Sequence, residues 1–155
     1  MSNVENDDVN GVASASRSIE DLIYSYSRFV DAGDFGSVGA LFEEATFAIG
    51  RGDPFIGGEA VKGMLENSLI LHADGTPRTM HLVTNLSIEI DAAAGTATSS
   101  SYVTVMQATP DIPLQTILVG RYFDEFLRRD SLWMFKRRQL KIDLVGDVSH
   151  HRRAS

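Results

Sequence analysis

Among the residues whose types could do acid–base chemistry are Asp31, His81 and Tyr26. A neutral imidazole can take a carbon-bound or hydroxyl proton, because histidine titrates near pH ~6.5. A carboxylate beside such a ring fixes its tautomer and stabilises the imidazolium that forms. A phenol can donate a hydrogen bond to a carbonyl or a departing hydroxyl. Fifty positions separate Asp31 from His81, so spacing alone does not join them. Residue type also admits plainer roles: a helix-end aspartate serving a turn, a core or edge histidine, and a tyrosine packed on an apolar stripe.

The remaining histidines carry less. His72 falls at the expected end of a helix, where a cationic side chain favours the macrodipole. His150 and His151 have no carboxylate or third histidine at ligand spacing, so no metal is expected. The sequence contains no cysteine, which excludes thiolate chemistry, zinc–thiolate sites and iron–sulfur clusters.

These residues must be positioned by the elements around them. Residues 1–16 are small, polar and acidic and are expected to form a disordered arm. Order is expected from about Ser18, where Ser18-x-x-Asp21 opens a helix. Its stripe runs Ile19, Leu22, Ile23, Tyr26, Phe29 and Val30. Ala32-Gly33-Asp34 stops it, and Asp34 caps a short second helix with Phe35, Val38, Leu41 and Phe42 inward. A strand over Glu44–Ile49, a turn, and a third helix from Glu59 to Leu71 follow. The second half reads as four long strands: Thr79–Asp91, Thr96–Gln107, Leu114–Leu127 and Leu132–Leu144. Such lengths suit a curved sheet with bulges. After Asp147 the chain has nothing evident to pack, so 147–155 is expected to be a flexible tail.

Strict alternation places His81, Val83, Asn85, Ser87 and Glu89 on one face of the first long strand. That face is too polar for ordinary core and suits a pocket wall, unless a bulge shifts the register. Long strands bearing Val103, Ile117, Val119 and Leu140 need covering, which predicts a homodimer or homotrimer.

The chain of 155 residues with a formal charge of −7 is one domain of ordinary globular composition. The acidic balance argues against nucleic-acid binding. Neither a signal peptide nor a membrane-spanning run is expected, and a cytoplasmic location follows from that reading.

Helices first and an antiparallel meander after them specify an α+β fold. Three stretches carry a more specific resemblance. The first helix reads Ile19-Glu20-Asp21-Leu22-Ile23 through Tyr26 to Phe29-Val30-Asp31. The first long strand reads Arg78-Thr79-Met80-His81-Leu82-Val83-Thr84-Asn85-Leu86. The last hairpin pairs Gly120-Arg121-Tyr122-Phe123-Asp124-Glu125-Phe126 with Arg129-Asp130-Ser131-Leu132-Trp133-Met134-Phe135. Their order resembles the SnoaL-like branch of the nuclear transport factor 2-like superfamily, over residues 17–146.

That resemblance implies a cone-shaped α+β barrel, with three N-terminal helices packed in a strongly curved, mostly antiparallel sheet around a central pocket. It implies Asp31 and His81 as a catalytic dyad and Tyr26 as an acid–base assistant, with no cofactor. The implied activity is a cofactor-independent lyase (dehydratase or dehydrohalogenase type) or isomerase, acting on a hydrophobic, cyclic or aromatic small molecule. The superfamily also implies an alternative: a ligand-binding or assembly module, such as a dioxygenase β-subunit-like protein. Ser99, Ser100 and Ser101 stand where the dehydratases carry further acids or histidines, which departs from a bile-acid dehydratase pattern. Tyr102, Thr104, Arg121 and Arg138 are polar groups on strands whose facing the sequence leaves open.

Overall fold

The computed structural model describes residues 2–154, with side chains described from residue 9 onward. Helix α1 spans Ser2–Asp31, α2 Phe35–Leu41 and α3 Gly58–Ser68. Ala15, Ile19, Ile23, Tyr26 and Val30 form the buried stripe of α1, at steps of three and four residues. The segment expected as a disordered arm is helical from Ser2; Met1 lies outside the described residues. Once the packed part of α1 is formed, each added residue gains one backbone bond without a new nucleus. Val9 and Val12 on this extension are exposed, so it adds little to the core.

The end of α1 is fixed by Gly33, which adopts φ 72°. Its amide donates to the Val30 carbonyl (2.9 Å) and the Asp34 amide to the Phe29 carbonyl (2.9 Å), the paired bonds of a Schellman cap. A Cβ on Gly33 would also lie 2.3 Å from the Gly75 carbonyl oxygen, so glycine is required twice over. Asp34 then caps α2 by accepting the Ser37 amide at 3.1 Å.

Strands β1 (Thr46–Ile49) and β2 (Phe55–Ile56) are short; β3 (Thr79–Asp91), β4 (Thr96–Thr109), β5 (Ile112–Arg129) and β6 (Leu132–Val145) are long. They form one sheet of order β2-β1-β6-β5-β4-β3, antiparallel throughout except between β1 and β6. The sheet is open, with β2 and β3 at its edges. Register shifts interrupt β3, β4, β5 and β6, and bulges of this kind raise the local twist and bend the sheet over the helices.

One of these shifts corrects the expected facing of β3. Pairing slips between Thr84 and Ser87, where Asn85 takes φ 52°. Beyond it, Leu86, Ile88 and Ile90 join His81 and Val83 on the inner face, while Ser87 and Glu89 turn to solvent. The polar face inferred from strict alternation does not exist: His81 stands on an apolar wall.

The chain also covers some of the side chains expected to need a partner, since Val103 and Ile117 are buried within it. Met80, Leu82, Tyr102, Phe123 and Leu144 are among the apolar side chains of the long strands that remain exposed. No helix among the described residues is long and apolar enough to cross a membrane.

The C-terminal segment, expected to find nothing to pack, is held by specific bonds. Ile70 donates its amide to the His151 carbonyl (2.9 Å) and Arg153 its amide to the Ser68 carbonyl (2.8 Å). The His150 carbonyl accepts from Gln107 Nε2 at 3.0 Å. The same carbonyl faces His72 Nε2 at 2.9 Å. His72 therefore serves the tail rather than a helix end, since α3 stops at Ser68.

Candidate active site

Asp31 occupies the last turn of α1, the end where the helix dipole disfavours a carboxylate. Three donors offset that placement. Asp31 Oδ1 accepts the Thr79 hydroxyl at 2.8 Å and lies 2.6 Å from His81 Nδ1, while Oδ2 accepts the His81 amide at 2.9 Å. Strand β3 lies at the sheet edge, so the His81 amide points away from its strand neighbour and is free for this use. One carboxylate thus pins the helix to the strand and holds the ring at once.

The two members of the pair expected from the resemblance therefore stand in contact. Side-chain exposure is 8% for His81 and 20% for Asp31. The carboxylate can only accept, so His81 Nδ1 carries the proton facing it, and Nε2 is left as the basic nitrogen of the neutral ring.

His81 lines a cavity of about 100 Å³ between the sheet and the helices. Its walls are largely apolar, with Val30, Phe47, Met64, Leu65 and Leu118 among them. Tyr26 also lines it, buried against Phe42, Phe47 and Tyr122. Burial pushes the Tyr26 phenol up to about 12, against the lowering influence of the Arg138 charge. At neutral pH Tyr26 is thus a hydrogen-bond donor and not a base.

Beneath the tyrosines lies a group whose facing the sequence left open. Arg138 and Asp124 are cross-strand partners on β6 and β5, both with fully buried side chains. Arg138 Nε and Nη2 each donate to an Asp124 oxygen at 2.9 Å. The guanidinium lies 3.7 Å from the Tyr122 ring centre and 4.5 Å from that of Tyr26. Ser99 and Ser101 also face inward and are buried, whereas Ser100 faces out. Arg121 is instead an outer-face residue bonded to Asp143 at 2.9 and 3.0 Å, and Tyr102 is exposed.

Sequence reasoning missed His151. It is 6% exposed, lines the same cavity as His81, and its Nδ1 has no hydrogen-bond partner among the described residues. Burial first, then the neighbouring His81 and Arg152, push its pKa down to about 4. The sign follows from linkage. Between pH ~6.5 and 4 the unfolded ring holds a proton that the docked ring does not, so stability falls as pH falls through this window. About 3 kcal/mol is at stake. Hydrogen-exchange protection of the Ile70 amide, which is bonded to the His151 carbonyl, should therefore collapse between pH 6.5 and 4. Protection that stays constant would contradict a neutral, docked His151.

An open, strongly curved sheet closed by helices over a central cavity is the nuclear transport factor 2-like α+β cone. Within that superfamily the chain belongs to the SnoaL-like domain family, whose model matches residues 12–139. A search of curated proteins gives no match. Among solved structures, the chain is similar to a Novosphingobium aromaticivorans protein provisionally described as a scytalone dehydratase. The identity is 27%, the TM-score 0.73, and the alignment covers 90% of this chain and 91% of that one. An NTF2-like protein with a cystatin-like fold from the same organism matches at 19% identity and TM-score 0.75, covering 97% and 94%. Hexachlorocyclohexane dehydrochlorinase LinA-type3 from Novosphingobium barchaimii LL02 matches at 20% and 0.70, covering 88% and 91%. The last two likenesses establish shared fold alone.

Proposed function

We propose that the protein is a lyase of the dehydratase or dehydrohalogenase type, in which His81 is the general base. The observation that carries this reading is the 2.6 Å Asp31–His81 contact at the wall of an apolar cavity. His81 Nε2 removes a proton from a substrate carbon. The C–H electron pair becomes the new double bond, and the leaving group departs from the adjacent carbon with the bonding pair. Asp31 stabilises the imidazolium formed, and the Tyr26 phenol donates a hydrogen bond to the departing or activating oxygen. Isomerisation would share the first step and return the proton elsewhere. The likeness to the scytalone dehydratase-type structure supports elimination as the reaction class.

A panel of single-ring hydroxy ketones and halogenated cyclohexanes, followed by NMR in D₂O, reports both elimination and solvent deuterium entering the substrate. For a substrate so identified, His81→Ala should lower turnover by about 10²–10⁴-fold. Unchanged turnover would remove His81 from the base role.

A further inference from the structure

His151 is costly where it stands. A buried ring nitrogen without a partner has given up its hydrogen bond to water and regained none, and among the described residues His151 Nδ1 is such a nitrogen. The ring is nevertheless held at the cavity by the backbone bonds of its own segment, the Ile70 amide to the His151 carbonyl and the Arg153 amide to the Ser68 carbonyl. Gln107 and His72 reach the carbonyl of the preceding residue. A tail needing only to cover apolar wall would do so better with leucine or valine. A polar ring kept in the cavity without a partner fits a partner that arrives with the ligand.

We propose that His151 is a substrate-binding residue that takes the hydroxyl or carbonyl oxygen of an uncharged, otherwise apolar compound no larger than a single ring. The inference rests on the reading that this cavity receives the substrate beside His81. Size follows from the cavity, whose about 100 Å³ is below the about 150 Å³ that holds benzene. One ring fills it if the Met64 side chain yields, and methionine is the residue best able to do so. Absence of net charge follows from the surroundings. The titratable groups acting on His151 are His81 on β3, Arg152 beside it, Asp31 on α1 and His72 on the α3–β3 loop; Asp31 is already bonded to His81. Burial keeps His151 neutral among them, so it offers one donor and one acceptor and no charge.

Phenol and toluene test this, being nearly equal in shape and differing in one hydroxyl. NMR titration of the full chain at pH 7 should show phenol binding more tightly than toluene. His151→Leu should cut that preference by about 3–10-fold, with circular dichroism confirming that the variant is folded. An unchanged preference, or no binding of either compound to the native chain, overturns the proposal. A second readout needs no variant protein to fold. The His151 imidazole ¹⁵N resonances of the native chain should move on saturation with phenol and not with toluene, and resonances that ignore phenol overturn the proposal too. Both readouts measure binding, so loss of the base assignment for His81 would leave them standing, and their failure would leave that assignment intact.

Discussion

Asp31→Asn lowers the turnover of the proposed elimination by about 10³–10⁴-fold and leaves the chain folded. The reason is the number of donors that one carboxylate serves. Both Asp31 oxygens accept, two donors on Oδ1 and one on Oδ2. Asparagine keeps the shape but replaces one acceptor with an NH₂ group. If the amide oxygen stays toward Thr79 and His81 Nδ1, the NH₂ opposes the His81 backbone N–H and pushes the edge strand from the helix. If the amide turns over, the NH₂ donates to His81 Nδ1, the imidazole proton moves to Nε2, and the basic nitrogen is lost. Both arrangements remove the base from position or from the correct tautomer. The stability cost should be about 1.5–3 kcal/mol, the worth of a hydrogen bond to a charged group. That is a fraction of the about 5–15 kcal/mol typical of a domain. Steady-state kinetics with melting curves on the same samples check the result. A rate within tenfold of native would mean that Asp31 does not set the His81 tautomer.

How much of this site the sequence disclosed depends on how local each determinant is. The stripe from Ile19 to Val30, the stop at Gly33 and the Asp34 cap are all local, and each is found as read. The nearness of Asp31 to His81 is not local; it came from the resemblance of whole segments, never from spacing. The facing of β3 failed because alternation is reversed by one residue of bulge, and Asn85 gave no notice of it beyond the tolerance of asparagine for positive φ. His151 was hidden for another reason. Its place depends on the Ser68 carbonyl and the Ile70 amide, backbone partners with no residue-type signature, and on the distant Gln107 side chain bonded to the His150 carbonyl. The helical extension before Ser18 likewise follows from continuing a helix already nucleated by its packed half.

Arg138→Met should destabilise the fold by about 3–5 kcal/mol, because it strands the Asp124 carboxylate in a dry interior. Both side chains are fully buried, and the two 2.9 Å bonds are the fork geometry in which a guanidinium satisfies both carboxylate oxygens. Burial pushes the Asp124 carboxyl up, and the Arg138 charge and hydrogen bonds oppose that push. Without Arg138 the acid must take up a proton or leave the core. The double variant Arg138→Met with Asp124→Leu separates this cost from lost packing, since replacing a whole buried pair by apolar groups is often neutral or stabilising. Urea denaturation should show the single variant far below native and the double variant recovering most of the difference. A single variant within about 1 kcal/mol of native would mean the pair is not the buried ion pair its geometry describes. The pair also bears on the cavity above it. Arg138 faces the rings of Tyr26 and Tyr122, and its charge lowers both phenols against the larger upward push of burial. Its removal with Asp124 therefore leaves Tyr26 still protonated and still a donor. A folded double variant should keep its chemistry if Arg138 serves the fold, and lose it if the guanidinium is needed to aim the phenol at the substrate.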